Sequence, residues 1–175
     1  MKIVKLLLLT VGLAFGSQAN AFNAQQCNKQ FGEDQLIVLK DAYFAGADRD
    51  HGYTLAAIAW QESSAGRNLV NPAGPAYGVF QNLSSTVTRR LAQSGINIPR
   101  NKVATRLITD FGWSAEQAMA ELDYWKGRHN GRWDRMIASY YAGGNWSHSA
   151  GQGYLQIIRT KVQFLKQNGC MFNEL

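Results

Sequence analysis

Residues 64–83 constrain the fold most, because this stretch cannot continue a regular helix or a long strand. Seven residues that break or bend the backbone fall within it: Gly66, Asn68, Asn71, Pro72, Gly74, Pro75 and Gly78. The stretch follows an apolar run over residues 55–62 and precedes a helical pattern that begins at Ser84. The sequence therefore predicts an irregular loop, in which a small β-hairpin within residues 71–83 is the only regular structure that we expect.

Most other apolar residues recur at helical spacing. Helices are predicted over residues 34–45, 55–62, 84–93, 101–109 and 152–167, with a further one that carries Trp133, Met136, Ile137 and Tyr140 and ends at Gly143. Thr54 is expected to cap the second helix, and Ser114-Ala115-Glu116-Gln117 has the form of a capping box that opens another. On the last helix the inward-facing residues are predicted to be Tyr154, Ile157, Ile158, Val162 and Leu165. The pattern indicates one mainly α domain.

The first 21 residues have the form of an export signal. Lys2 and Lys5 precede an apolar stretch over residues 6–15, and Ala19-Asn20-Ala21 matches a small-x-small cleavage site. The apolar stretch is shorter than the about 20 residues that span a bilayer. We expect cleavage after Ala21, which leaves a mature domain of residues 22–175 in the periplasm. An uncleaved anchor is the alternative.

Two cysteines, Cys27 and Cys170, lie near opposite ends of the mature chain. In an oxidising compartment such a pair is expected to form a disulfide that joins the two ends. The cysteines and the three histidines are too scattered to match the spacing of metal ligands, so no metal or other cofactor is expected.

The charge pattern favours an anionic polymer as partner without identifying it. Removal of Lys2 and Lys5 lowers the formal charge from +6 to +4. Between Glu62 and Asp110 every charged residue is positive: Arg67, Arg89, Arg90, Arg100, Lys102 and Arg106. These residues form either a solvated basic face or a groove wall that attracts an anionic chain. Nucleic acid is not expected, because export would separate the protein from it.

Glu62 is the acid with the most distinctive surroundings. It follows Trp60 at the end of an apolar run and precedes 47 residues without another carboxylate before Asp110. A carboxyl group beside apolar walls holds its proton to higher pH and can then act as a general acid. A solvent-facing carboxylate at a helix end is the alternative. No serine lies in a Gly-x-Ser-x-Gly elbow, which argues against a serine hydrolase.

Four short motifs carry a resemblance to a known family. They are Glu62-Ser63, Asn71-Pro72-Ala73-Gly74, Gly78-Val79-Phe80-Gln81 and Ser139-Tyr140-Tyr141-Ala142-Gly143. The chain resembles the soluble lytic transglycosylases, which have Glu-Ser, Ser-Pro-Ala-Gly, Gly-Leu-Met-Gln and Ala-Tyr-Asn-Ala-Gly in the same order. The resemblance covers roughly residues 54–146 and implies a lysozyme-like helical fold with a groove for the glycan strands of peptidoglycan.

The resemblance implies a role for several residues. Glu62 matches the catalytic acid, and Tyr140 matches a tyrosine that faces this acid across the groove. Substrate contacts are implied for Gln81 and for the positions of Asn71, Leu83 and Ser63. The sequence departs from the family at Tyr141, where the family has Asn, and at Phe80, where it has Met.

The implied reaction needs one carboxylate, whereas glycoside hydrolases usually need two. A lytic transglycosylase cleaves the bond between N-acetylmuramic acid and N-acetylglucosamine and closes a 1,6-anhydro ring with the substrate's own hydroxyl. An exported enzyme of this kind is expected to open the cell wall locally for a secretion, conjugation, pilus or phage machine. The alternatives are a hydrolytic muramidase, with Asp110 or Asp123 as second carboxylate, and a non-catalytic peptidoglycan-binding subunit of an envelope machine.

Overall fold

The computed structural model describes residues 25–172, so the predicted signal at residues 1–21 lies outside the described residues. Within this range the chain forms eight α-helices, a short 3₁₀ helix and a two-stranded sheet. The elements in chain order are α1 (residues 25–30), α2 (Glu33–Ala47), α3 (Gly52–Ser63), β1 (Ala76–Tyr77), β2 (Asn82–Leu83), α4 (Ser84–Gln93), α5 (Arg100–Thr109), α6 (Phe111–Arg128), α7 (Trp133–Ala142), the 3₁₀ helix Gly143–Asn145 and α8 (Ser149–Gln167). The predicted mainly α, lysozyme-like architecture is confirmed.

Helix α3 forms the centre of the core. It packs against α2 and α8, and its residues from Leu55 to Ala59 have no exposed surface. Side chains from α6 and α7, such as Leu122 and Ile137, complete this core. Because α3 is enclosed along most of its length, its C-terminal end with Glu62 has a fixed position relative to the helices around it.

Two predicted helix starts are wrong, and in both cases the hydroxyl has a tertiary partner. Helix α3 begins at Gly52, and the hydroxyl of Thr54 accepts a hydrogen bond from Trp133 Nε1 at 3.0 Å instead of capping the helix. Helix α6 begins before Ser114, with Asp110 as its N-cap. Ser114 is buried and accepts a hydrogen bond from Asn82 Nδ2. A local capping pattern cannot reveal such long-range partners.

The expected small hairpin is present in the long loop. β1 and β2 pair antiparallel, with Ala76 opposite Leu83 and Tyr77 opposite Asn82. Asn82 is buried and also donates to the backbone oxygen of Ser114, which fixes the hairpin to α6. Beside it, α4 and α5 share a second small core. Residues of the hairpin lie next to the C-terminal end of α3.

The predicted disulfide between Cys27 and Cys170 is confirmed; it joins α1 to the turn after α8. On α8 the inward residues include Tyr154, Ile158 and Leu165, whereas Ile157 is 42% exposed, so its predicted inward position is wrong. Among residues 25–172, none of the helices has the length and hydropathy that a membrane span requires.

Candidate active site

A groove of about 490 Å³ lies between the end of α3, the hairpin and α7. Five residues that the sequence pointed to line it together: Glu62, Asn71, Gln81, Leu83 and Tyr140. They come from four separate stretches of the chain. The fold therefore brings into one cavity the residues that the motifs had linked only by resemblance.

The backbone turns sharply directly after Glu62. Ser64, Ala65 and Gly66 all have positive φ, at 53°, 55° and 88°. Two hydrogen bonds fix this turn, because the amides of Ser64 and Ala65 both donate to the Ala59 oxygen. The turn ends α3 and leaves Glu62 on its last turn, facing the groove. Positive φ at non-glycine residues is costly and often occurs beside functional sites.

Ser63 corrects one expectation from the resemblance, because it does not line the groove. Its side chain is fully buried. Its hydroxyl donates to the Ala59 oxygen at 3.1 Å and accepts from the Gly66 amide at 2.8 Å. Ser63 therefore stabilises the turn behind Glu62, and a direct contact with a substrate is not available to it.

The side chain of Glu62 is held by Tyr154, a residue of α8. The Tyr154 hydroxyl donates a hydrogen bond to Glu62 Oε1 at 2.5 Å. No other described residue donates a hydrogen bond to this carboxyl group, so Oε2 stays available to a ligand in the groove. The Tyr154 hydroxyl therefore orients the carboxyl group through Oε1 and leaves Oε2 without a hydrogen bond from the described residues.

Burial raises the pKa of Glu62 above its usual range, because the surrounding protein disfavours the charged carboxylate. Two smaller influences lower the pKa of Glu62: the hydrogen bond from Tyr154 and the positive charge of Lys161. Lys161 lies on α8, with Nζ 4.0 Å from the centre of the Trp60 ring. Burial lowers the pKa of Lys161 to about 8, so this lysine is charged at neutral pH.

Tyr140 lies in the groove, but its hydroxyl does not bond the acid. It donates to the backbone oxygen of Phe80 at 3.0 Å, which joins α7 to the loop between β1 and β2. Tyr140 and Glu62 both line the groove, and the hydrogen bond to the acid comes from Tyr154.

Three tyrosine rings form a stack beside Glu62. The ring of Tyr154 lies nearly parallel to those of Tyr140 and Tyr141, with centroid distances of 6.4 and 5.0 Å. Tyr141 replaces the asparagine of the family motif, is 61% exposed and lines the groove. Its ring therefore extends the aromatic surface from the acid towards solvent.

Gln81 is held in a strained turn whose shape depends on Gly78. Gln81 has φ of 46°. Its side-chain nitrogen Nε2 donates hydrogen bonds to the backbone oxygens of Asn68 and Gly78 at 3.2 and 2.9 Å. Gly78 has φ of 79°, and a Cβ at this position would lie 2.1 Å from the Leu107 oxygen. Only glycine fits here, and Gln81, three residues further on, lines the groove.

Asn71 and Leu83 also line the groove, and both are exposed. Asn71 Oδ1 accepts a hydrogen bond from the Ala73 amide at 2.9 Å, so its Nδ2 remains the group that can bind a ligand. Leu83 is 48% exposed and offers an apolar contact.

Glu62 is the only carboxylate among the described residues that line the groove. The two acids that the sequence offered as a second carboxylate lie elsewhere: Asp110 caps α6 and pairs with Arg106, and Asp123 pairs with Arg49. Glu121, which the sequence interpretation overlooked, lines a smaller hollow that shares Gln81, Leu83 and Tyr140 with the groove. Both its carboxylate oxygens are occupied, by Trp125 Nε1 at 2.7 Å and Arg90 Nη1 at 3.1 Å.

The row of positive residues after Glu62 does not form the groove wall. None of the six lines the groove, and Arg90 reaches only the adjoining hollow. Arg106 lies over the Trp113 ring at 4.6 Å, and Arg100 donates to the Ser84 hydroxyl. In residues 25–172 no cluster of His, Cys, Asp and Glu side chains has the arrangement to hold a metal ion.

Tyr154 is the site residue that the sequence interpretation missed, because its helical spacing assigned it to the core. It is buried, so the assignment to the inward face is confirmed. A buried tyrosine nevertheless needs a hydrogen-bond partner for its hydroxyl. A lone phenol on an otherwise aliphatic inward face was the signal that could have indicated a polar partner.

Comparisons with known proteins identify the family of this chain. The family model for the transglycosylase SLT domain matches residues 45–154, which contain the whole groove. A relative from Enterobacteria phage T4, described as an uncharacterized 20.7 kDa protein in the vs-regB intergenic region, is 33% identical and covers 92% of this chain and 91% of its own. No solved structure matched. On the family match and this relative, the chain belongs to the transglycosylase SLT domain family.

Proposed function

We propose that this protein is a lytic transglycosylase that cleaves peptidoglycan between N-acetylmuramic acid and N-acetylglucosamine. Membership of the family supports a lytic transglycosylase-like action on peptidoglycan at the family level. The observation that carries the specific reaction is Glu62, a carboxyl group with a raised pKa that lies without a second carboxylate among the described residues of its groove.

Glu62 acts first as the acid. Because burial raises its pKa, the carboxyl group keeps its proton to higher pH than an exposed glutamate does, and this proton passes to the bridging oxygen between the two sugars. The bond from C1 of the muramic acid to that oxygen then breaks. Tyr154 keeps Oε1 in place during the transfer, so Oε2 is the atom that gives the proton.

Glu62 acts next as the base. Its carboxylate takes the proton of the C6 hydroxyl, whose oxygen bonds to C1 and closes the 1,6-anhydro ring. The nucleophile comes from the same sugar, held at high effective concentration, so neither water nor a second protein carboxylate is required. The cycle returns Glu62 to its protonated form.

The rest of the groove suits a glycan chain. The exposed Tyr141 ring can stack on a sugar face, while Gln81 and Asn71 supply amide groups for hydroxyl and acetamido groups. A volume of about 490 Å³ is in the usual range for a site that holds a few sugar-sized groups.

Export to the periplasm is part of the proposal. It is supported by the form of residues 1–21, by the location of peptidoglycan outside the cytoplasm and by the disulfide between Cys27 and Cys170. In that compartment the enzyme would open the wall locally for an envelope-spanning secretion, conjugation, pilus or phage machine.

A hydrolytic muramidase is the second candidate, and Glu121 is the observation that favours it. Its hollow adjoins the groove, so after release from Arg90 its carboxylate could activate a water molecule. The arrangement observed argues for the first candidate, because both Glu121 oxygens already accept hydrogen bonds.

The products of digestion test the proposed reaction. Residues 22–175 should be purified and incubated with peptidoglycan sacculi, and the soluble products should be identified by mass spectrometry. We expect 1,6-anhydromuropeptides, each lighter by one water than the hydrolysed fragment. Glu62→Gln, which keeps size but cannot donate the proton, should release fewer products by a factor of about 10³ or more. Reducing-end muropeptides as the main product, or full activity of Glu62→Gln, would refute the proposal.

A further inference from the structure

A second cavity, larger than the groove, lies away from it at the other end of α3. It has a volume of about 720 Å³ and is formed by the end of α2, the start of α3, the start of α7 and the last turns of α8. Tyr53 lines it and lies nine residues before Glu62, which places the two about 14 Å apart along the helix axis. We call it the Tyr53 cavity; its main lining residues are Tyr43, Tyr53, Trp133, Arg159, Gln163 and Lys166.

The wall of the Tyr53 cavity is aromatic. The rings of Tyr43 and Tyr53 meet edge to face with centroids 4.8 Å apart. The Trp133 ring is anchored by the hydrogen bond from its Nε1 to Thr54. Because these rings are fixed by contacts inside the domain, the cavity exists before any ligand arrives, and binding would require little ordering of the wall.

An exposed apolar rim continues from this wall. Phe44 and Phe172 each contact the Tyr43 ring, with centroid distances of 5.4 and 5.3 Å. They are 59% and 63% exposed. Large apolar residues grouped next to a preformed cavity are typical of a protein-binding surface. Phenylalanine offers no hydrogen bond to sugar hydroxyls, so this rim suits a peptide better than a glycan.

The cavity also carries excess positive charge. Arg159 and Lys166 line it, and neither takes part in a salt bridge within residues 25–172. Asp50 is the single acid among the lining residues. Two cations against one carboxylate favour a ligand that brings negative charge.

We propose that the Tyr53 cavity is a docking site for an acidic segment of a partner protein. The segment packs a large apolar side chain against the aromatic wall. It also places a carboxylate beside Arg159 and Lys166. The site leaves the groove at Glu62 open, so the protein can be held by its partner while the groove binds another ligand.

Selection from a random twelve-residue peptide library displayed on phage tests the proposal. Residues 22–175 serve as the target, and the most enriched sequences are synthesised and titrated by fluorescence. We expect enriched peptides with Asp or Glu close to Phe, Trp, Leu or Ile. A selection that enriches no sequence, or enriches peptides without an acidic residue, would overturn the proposal.

Variants then locate the binding site of the best peptide. Arg159→Glu with Lys166→Glu should weaken binding about tenfold or more, since it replaces attraction by repulsion. The matched control is Arg89→Glu with Lys102→Glu, two exposed cations away from the cavity, which should change the Kd by less than about twofold. Equal binding to both double variants would overturn the assignment.

The apolar rim and the rival occupants are tested separately. Phe44→Ser with Phe172→Ser should weaken peptide binding about fivefold or more while leaving sacculus digestion unchanged, because both residues are exposed and lie outside the groove. Unchanged peptide binding would remove the rim from the site. A purified muropeptide that displaces the peptide, or a dimer in solution that the Arg159/Lys166 variant dissociates, would assign the cavity to another occupant and overturn the proposal.

Discussion

Tyr154 and Glu62, 92 positions apart in the sequence, share a hydrogen bond of 2.5 Å in which the phenol donates to Oε1 of the acid. This bond sets the orientation of the carboxyl group and lowers its pKa against the larger effect of burial. Removing the bond should therefore change both the rate of the reaction and its dependence on pH.

Tyr154→Phe tests this relationship. We expect the rate of sacculus digestion to fall about 10- to 100-fold, which corresponds to the loss of one hydrogen bond to a charged group. The pKa of Glu62 should rise, because the donor that favours its anion is gone. Activity that requires the protonated acid is lost as the pH rises through this pKa, so the alkaline limb of the pH profile should move to higher pH.

Tyr140→Phe is the matched control for Tyr154→Phe. It removes a hydroxyl from the same ring stack, but that hydroxyl donates to the Phe80 backbone and not to Glu62. It should lower the free energy of unfolding by about 1 kcal/mol and leave the alkaline limb close to that of the wild type. The same shift of the limb in both variants would contradict a specific role for Tyr154.

Lys161→Met tests the second influence on the acid. The charge of Lys161 lowers the pKa of Glu62, so its loss should raise that pKa and move the alkaline limb to higher pH. The difference from the wild type should shrink as the pH rises above about 8, where the wild-type lysine itself loses its charge. Profiles of initial rate against pH measure both effects.

Two other substitutions on α8 serve as controls for Lys161→Met. Lys161→Arg keeps the positive charge and should retain the wild-type profile below about pH 8, where the wild-type lysine is also charged. Lys166→Met removes a charge from the same helix, but Lys166 does not perturb the pKa of Glu62 and should leave the profile unchanged. A profile for Lys161→Met that overlays the wild type would show that this charge does not affect the acid.

The disulfide allows a prediction about stability. Replacing Cys27 and Cys170 by Ser should lower the free energy of unfolding by up to about 5 kcal/mol, since the bridge closes a loop that spans 143 positions. Digestion at 25 °C should persist, because neither cysteine lines the groove. Denaturant unfolding provides the measurement, and wild-type protein unfolded under reducing conditions should match the double variant. Equal stability of oxidised and reduced wild type would contradict the prediction.

The sequence predicted the fold class and the hairpin because those features depend on local patterns, whereas most of the groove residues were implied only by the resemblance to the family. Helical spacing located α4 and α7, and the glycines and prolines after Ser63 indicated the irregular loop. What the sequence could not predict depended on contacts between distant residues. Tyr154 has the spacing of a core residue, and only the packing of α8 on α3 brings its hydroxyl to Glu62.

The same limit explains the errors at Ser63 and Ser114. The resemblance implied a substrate contact for Ser63, but its hydroxyl is used by the turn after α3. Ser114 was predicted to cap the helix, but its hydroxyl accepts a hydrogen bond from Asn82 of the hairpin. The N-cap of the helix is Asp110. A polar residue's partner is decided by the tertiary fold, so its sequence neighbours do not identify its role.

Glu121→Gln separates the two enzymatic candidates, because Glu121 is the carboxylate among the described residues that line the hollow next to the groove. A muramidase that used it as base would lose several orders of magnitude in rate, whereas a transglycosylase that relies on Glu62 alone should stay within about tenfold of the wild type. The glutamine oxygen can still accept from Trp125, and only the charge opposite Arg90 is lost. Asp110→Asn and Asp123→Asn are matched controls, since each also breaks one salt bridge but lies outside both hollows. Rates should be measured together with the product masses. An inactive Glu121→Gln protein that folds normally, together with reducing-end products from the wild type, would identify the protein as a hydrolase.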